Sequence, residues 1–316
     1  PMSDASIMPT FVLCQFARRY VKVALGGDGG DELLGGYSTL QAHKLTQYYL
    51  RVPGLLRQGI IEQVVNRLPV SMDNLSLDFK AKRFVRDAHY PTAQRHHHWL
   101  GTFRSEDLAR ALTADVRSSL AGDNPLAPVQ DYSSRVRTRK ELNRVLYLDM
   151  KLYMEGDILT KVDRASMANS LEVRVPLLNS VFVDYVTRLP LEYKLHNFTR
   201  KYILREALKG HLPEAILKRE KHGFGMPVSK WLRSDLKELA QDLFSESRLR
   251  RDGLFEPEYV QGLLRSHLAG KQDNRKPLWT LLVFQQWYDR YIAGDRGSET
   301  VADSPIEVPY EAALVG

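Results

Sequence analysis

A short apolar run, Val21, Val23, Ala24 and Leu25, ends directly on glycine, the pattern of a strand buried on both faces. Ahead of it, Phe11, Val12, Phe16 and Tyr20 recur at helical spacing behind Ser6, a residue suited to an N-cap, and predict a helix over about 7–20. Behind it, Leu33, Leu34 and Tyr37 open a helical spacing that continues to about residue 50. Residues 51–99 alternate short apolar groups with Pro53, Pro69, Asn74 and Pro91, predicting short helices and turns, and 105–138 form a polar connector with short helices. The longest periodic block, Leu142, Val145, Leu146, Leu148, Met150, Leu152, Tyr153 and Met154, predicts a substantial buried helix. Asp157 is placed to cap a second helix carrying Ile158, Leu159, Val162, Ala165, Met167 and Ala168. Apolar positions over 231–293, among them Trp231, Leu232, Leu243, Trp279 and Trp287, predict packed helices, and from 294 the chain turns polar, with Pro305 and Pro309. The expected organisation is one α/β unit, predominantly helical, over 1–293 and a loosely ordered tail over 294–316.

The strand run feeds the stretch GGDGGDELLGGY, residues 26–37. Gly26, Gly27, Gly29 and Gly30 allow a turn through conformations closed to other residues and expose backbone N–H groups. Asp31 and Glu32 fall in the first helical turn, where the helix dipole favours carboxylates. A glycine-rich turn between a strand's carboxyl end and a helix is where open α/β sheets bind ligands. Aspartates there would repel a bare polyphosphate, so Asp28 and Asp31 point to Mg²⁺ bridging carboxylate and phosphate oxygens, a magnesium–nucleotide site. A capped helix start behind a flexible turn is the competing reading. The stretch is neither a phosphate-binding loop of the Walker A kind, because Gly36 and Tyr37 stand where Lys and Ser/Thr belong, nor a dinucleotide fingerprint, because Glu32 occupies the last glycine position.

Two basic constellations could serve the same ligand. Lys161 and Arg164, three apart with Asp163 between them, share a helix face that could clamp phosphates; a solvated face with an Asp157–Lys161 pair explains the spacing equally well. In KREKHGFGMP, residues 218–227, Gly223, Gly225 and Pro227 make a loop, Phe224 an anchor, and Lys218, Arg219 and Lys221 bring three cations. Glu172 and Arg174 interrupt the apolar LEVRVPLLN, either on an alternating strand or as a buried pair. His96, His97 and His98 are consecutive, point in three directions on a helix and cannot converge on one metal ion; they read as surface histidines.

Composition narrows the class without adding chemistry. The 316 residues, 43% hydrophobic and 26% charged, are those of a soluble globular chain, and the net charge of +7 suits anionic ligands such as nucleotides. No Lys/Arg run reaches the length of a nucleic-acid-binding tail, and no stretch approaches a membrane span, so neither partner is expected. Cys14 is the single cysteine, which excludes an intrachain disulfide and fits a cytoplasmic location.

The signatures PMSDASIMPT, VALGGDGGDELLGGY, DILTKVDRASMANSLEVRVPLLN and KREKHGFGMP followed by Trp231-Leu232 together resemble the synthetase domain of glutamine-hydrolysing asparagine synthetases, over about residues 1–235. The resemblance implies a parallel-sheet ATP-pyrophosphatase fold with a helical carboxyl-terminal part. It also implies a carbon–nitrogen ligase that activates the aspartate side chain with ATP as an aspartyl-adenylate and amidates it with ammonia from glutamine. By motif, Gly26, Gly27 and Glu32 would lie in the nucleotide site, Asp31 would hold Mg²⁺, Asp28 would serve intermediate formation and the ammonia step, and Lys221 would neutralise charge at the α-phosphate and pyrophosphate. Lys161 resembles a basic position near the same site, and Asp157 and Glu172 resemble weaker orienting groups. Gly26 stands where many members have Ser. The family's Ser-Gly-Gly-x-Asp-Ser pyrophosphate loop and its amino-terminal glutaminase domain are absent from these residues, so the 316 residues are expected to bind ATP poorly and make little asparagine alone. The expected partners are aspartate, ATP and ammonia, with a homodimer left open. A relative amidating a peptide, a sugar acid or its own ring, and a non-catalytic module on the same scaffold, are the alternatives.

Overall fold

The structure, a computed structural model, describes residues 1–294 apart from 74, 75, 139, 220–222 and 224. It is mostly helical, with two two-stranded sheets among the described residues. Strand β1 (Val23–Leu25) pairs in parallel with β2 (Glu172–Arg174), Val23 opposite Glu172 and Leu25 opposite Arg174. A hairpin joins β3 (Leu195–His196) to β4 (Thr199–Arg200). β1 is flanked by helix α1 (Ile7–Arg18) and α2 (Gly30–Leu34), and α3 (Ser38–Tyr49) follows after Gly35, whose φ of +68° ends α2 in a left-handed cap. The expected helix to residue 50 is therefore two helices.

β1 forms where the apolar run predicts it but is not buried: Leu25 is 74% and Val23 39% exposed, because no element among the described residues covers the face that carries them. On α1 the buried positions are Thr10 and Cys14, one turn apart against the helix Thr160–Met167, while Val12, Leu13, Phe16 and Tyr20 are exposed. Hydrophobicity alone thus pointed to the wrong face. Ser6 precedes α1 but makes no cap bond; its hydroxyl is drawn instead into a buried ion pair.

The two helices expected on either side of Asp157 are one rod. Residues Glu141–Leu148 are α-helical, Asp149–Leu159 have the wider π geometry, and Thr160–Met167 return to α. Asp157 caps nothing. The rod sets Asp149, Tyr153, Asp157 and Lys161 at four-residue steps. Four residues overshoot an α turn and fall short of a π turn, so alternating the two lets a four-residue series follow one face.

Three clusters carry the hydrophobic core nearest the site. Leu33, Leu34 and Val186 bury α2 against the helix Ser180–Arg188, and Leu40, Leu142, Val145, Leu146 and Leu195 join α3 to the rod. The carboxyl-terminal helices close on Leu232, Phe244, Val260, Leu278 and Leu281, and the packing expected over 231–293 is present.

The histidines are not at the surface. His96 and His98 are 2% exposed; the rod and a neighbouring helix supply polar partners for His96, while the Asp87 carboxylate lies 3.9 Å from His98 Nδ1. Arg95 Nε donates to His43 Nδ1 at 3.2 Å, His43 Nε2 meets His96 Nδ1 at 3.2 Å, and His96 Nε2 meets Asp149 Oδ1 at 2.9 Å. One assignment satisfies every link: both rings neutral, each donating from Nε2 toward Asp149. Burial, with His96 and Arg95 close by, holds the His43 ring well below the usual imidazole range, in line with that assignment. No helix among the described residues is long and apolar enough to cross a membrane.

Candidate functional site

The glycine turn sits where β1 ends. Gly26 N–H still bonds Arg174 O at 2.7 Å, extending the parallel ladder by one residue, and Gly29 takes φ +84° to swing the chain into α2. Gly29 has no room for a side chain, since a Cβ there would strike Leu178. Gly27 is exposed with open space around its α-carbon, so its backbone is free to approach a ligand. Asp28 is half-buried and its Oδ2 folds back to 2.9 Å from where a Gly26 Cβ would stand; a Ser at 26 would require that carboxylate to move.

Asp31, in the first turn of α2, makes an ion pair with Lys201 Nζ at 2.9 Å. Glu32 turns the other way, into the protein: it is 2% exposed and accepts a hydrogen bond from the Tyr37 hydroxyl at 2.5 Å. Burial pushes the Glu32 carboxyl up, the Tyr37 hydrogen bond opposing. Tyr37 in turn packs edge-on against Tyr153 of the rod, ring centres 5.4 Å apart. Burial and the neighbouring carboxylates raise both phenols, so neither ionises at neutral pH.

On the far side of Tyr153 lies a second polar cluster. Lys161 is 8% exposed, and its Nζ donates to Asp4 Oδ2 and to Ser6 Oγ, both at 2.8 Å. Ser6 donates its hydroxyl to Asp4 Oδ2 at 2.7 Å and its backbone N–H to Asp4 Oδ1 at 2.9 Å. Burial raises the Asp4 carboxyl, but the bonds from Lys161 and Ser6 outweigh it and the group settles below its ordinary range. Asp157 is the opposite case: burial, then the Asp4 charge, push it up to about 6. Lys276, whose Nζ donates to Leu100 O at 2.9 Å, is brought down to about 7 by burial and by the Arg83 charge, against the opposing pull of Asp4 and Asp157. Arg164 points to solvent, so Lys161 and Arg164 do not act as a joint clamp, and the Lys161 ion pair is with Asp4.

The Asp157 shift has a measurable consequence. Its folded pKa lies above the unfolded value, so the native state holds the extra proton between about pH 4 and 6 and loses stability as pH rises through that window. Asp157→Asn is expected to flatten this fall and to be more stable than the parent above pH 6, read from urea midpoints across the range. A parent-like slope in the variant would show that another group titrates.

Glu172 and Arg174 are exposed on alternating positions of β2 and pair with each other at 2.7 Å, the strand alternative of the two readings. Lys221 and Phe224 lie outside the described residues, as does the expected tail from 295 onward. Lys218 is described and pairs with Glu214 at 2.7 Å. A cleft of about 1650 Å³ lies away from the glycine turn; among its lining residues are Tyr49, Lys82, Arg83, Arg110, Tyr259 and Lys276. Its arginines and lysines are largely taken, Arg83 by the carbonyls of His98 and Gly101, Lys82 by Leu68 O and Asp78, and Arg110 by the Tyr259 ring.

Sequence reasoning missed Lys201, Asp4, Tyr153 and Lys276. Asp4 and Ser6 lie inside the PMSDASIMPT signature, where the pattern singles out only Ser6, as a helix cap; Lys201 and Lys276 carry no spacing signal that links them to the turn.

The family model for asparagine synthase matches residues 1–289. An asparagine synthetase [glutamine-hydrolyzing] 1 of Bacillus subtilis is 31% identical over 310 residues, 98% of this chain and 47% of that protein. A second from the same organism, asparagine synthetase [glutamine-hydrolyzing] 3, is 40% identical over 103 residues, 30% of this chain and 17% of that protein. Amidase chyE of Penicillium rubens is 24% identical over 299 residues, 90% of this chain and 44% of that protein. The chain spans about half the length of the relatives it matches end to end. With the family model matched over residues 1–289 and a relative 31% identical over nearly the whole chain, the chain belongs to the asparagine synthase family.

Proposed function

We propose that this chain is the synthetase portion of a glutamine-dependent asparagine synthetase: ATP activates the aspartate side-chain carboxylate as an aspartyl-adenylate with release of pyrophosphate, and ammonia displaces AMP to give asparagine. The observation that carries the reading is the exposed glycine turn at the carboxyl end of a parallel strand, with Asp28 and Asp31 at its rim. The parallel β1–β2 pair is compatible with an ATP-pyrophosphatase sheet. Gly26 and Gly27 offer backbone to the nucleotide. Among the described residues no group of three or more His, Cys, Asp or Glu could hold a metal ion. The donor set at the turn, the partly buried carboxylates of Asp28 and Asp31, is that of Mg²⁺ completed by water and phosphate oxygens, and Asp31 would hold it. When bound, the ion supplies charge neutralisation on the leaving pyrophosphate.

The chain's own groups divide the remaining work. Asp28 accepts a proton from the attacking nitrogen as the amide forms. Glu32, bonded to Tyr37, fixes α2 from beneath rather than touching the ligand. Lys161 is held by Asp4 and Ser6, so its part is to neutralise the Asp4 carboxylate rather than to touch the ligand. Lys221 would stabilise charge on the α-phosphate and pyrophosphate.

The test is aspartate-dependent ATP–pyrophosphate exchange by the intact protein, run beside a panel of carboxylic acids. Exchange with aspartate supports the reading; exchange only with another acid supports the second reading, amidation of a different carboxylate. No exchange with any acid would sink both. Residues 1–316 alone are expected to exchange poorly.

A further inference from the structure

Lys201 is a cation that the fold delivers directly onto a carboxylate of the glycine turn, and the way it is delivered is unusual. It sits between β4 and the helix Tyr202–Ala207 with φ 52° and ψ 37°, a left-handed conformation that side-chain-bearing residues rarely adopt. The hairpin before it is latched to the turn: Arg200 Nη1 donates to Gly36 O at 2.9 Å. Its ammonium reaches Asp31 Oδ1 at 2.9 Å, with the two side chains 27% and 12% exposed. The passage for its stem exists because Gly36 has no side chain, since a Cβ there would overlap both the Asp31 carboxylate and the Lys201 stem. At Gly30 a Cβ would stand 3.8 Å from the Lys201 ammonium. A glycine, a hairpin latch and a disfavoured backbone angle thus converge on one ion pair at the rim of the candidate site.

Surface ion pairs contribute little to stability, and this one is only partly buried, so holding the fold together is a poor explanation for that convergence. We propose that Lys201 is a positioning residue for Asp31: it serves as a resident counter-ion that keeps the carboxylate aimed at the turn, and it yields that oxygen when a divalent cation enters. The inference rests on the reading of Asp31 as a cation ligand. A lysine suits the task because its ammonium is a compact point charge on a flexible stem, able to withdraw into water without breaking a planar fork of bonds. Its charge opposes the incoming ion, so it lowers the resting affinity of the site for divalent cations.

The experiment is Mn²⁺ binding to the intact protein without nucleotide, followed by electron paramagnetic resonance of the free ion. Lys201→Met keeps the stem and removes the charge, and is expected to bind Mn²⁺ about tenfold more tightly, the factor that corresponds to about 1.4 kcal/mol. Lys201→Arg, which keeps the charge, is expected to stay within about twofold of the parent, well short of that factor. Lys201→Gly removes the charge and also frees the backbone; it should bind as tightly as Lys201→Met, and it decides the matter if the methionine variant does not fold. Unchanged or weaker Mn²⁺ binding in the charge-free variants, with Asp31→Asn losing the ion, would overturn the role of Lys201 while leaving Asp31 as ligand. Parent-like binding by Asp31→Asn would overturn the reading of Asp31 itself, and the counter-ion role with it.

Discussion

Asp28→Asn in the intact protein is expected to lower asparagine formation by about 10²–10⁴-fold, the range that a positioned proton acceptor contributes. The carboxylate is half-buried in the turn beside Gly26, and among the described residues it has no hydrogen bond or ion pair that the substitution would break. The amide is nearly the same shape, so the fold and the turn should survive and only the ability to take a proton should go. Ammonia-dependent asparagine synthesis measured beside melting temperature checks this. A variant that melts like the parent and keeps more than about a tenth of its rate would remove Asp28 from the amide-forming step, since a tenth is far above the residue expected from losing general-base help.

The second large effect is on stability and lies away from the turn. Asp149→Ala is expected to cost about 1–3 kcal/mol, because it removes the acceptor of a hydrogen bond in which both side chains are at most 3% exposed and leaves a buried N–H unsatisfied. The loss propagates: His96 no longer has an acceptor for Nε2, and the order imposed on His43 and Arg95 loses its end point. Asp149→Asn keeps an acceptor oxygen in place and should cost much less. Urea titrations at constant slope separate the two. Equal midpoints for the alanine and asparagine variants would show that the chain of rings is held by packing, with Trp99 against His43 as the obvious contributor.

How much of this was readable from residues alone varies with the type of signal. The glycine turn was legible because its conformation is written in residue type: glycines open angles that others cannot take, and the observed φ of Gly29 uses that freedom. The strand ahead of it was legible as a strand but not as an exposed one, since an apolar run states what a segment would bury and not what its neighbours are able to cover. The histidines were misread for a related reason. Three in a row cannot share a metal ion, but nothing local announces that Asp149, more than fifty positions away, will meet one of them. Lys161 and Arg164 fit one face by spacing, yet burial of the first by Asp4 and Ser6 separated their roles. Lys201 was invisible because its importance comes from a hairpin that folds back 170 residues onto Asp31.

The rod over residues 141–167 tells where natural variation in chain length can be absorbed. Asp149 answers to His96, Lys161 answers to Asp4, and both are carried on the same uninterrupted screw. An in-frame deletion of one codon between them would rotate everything downstream by about 100° and carry Lys161 off its partners. Exchanges at exposed Lys151 or Glu155 leave that phase untouched. Insertions and deletions among homologues should therefore collect in the loops on either side of the rod and spare the twelve peptide units that separate those two anchors.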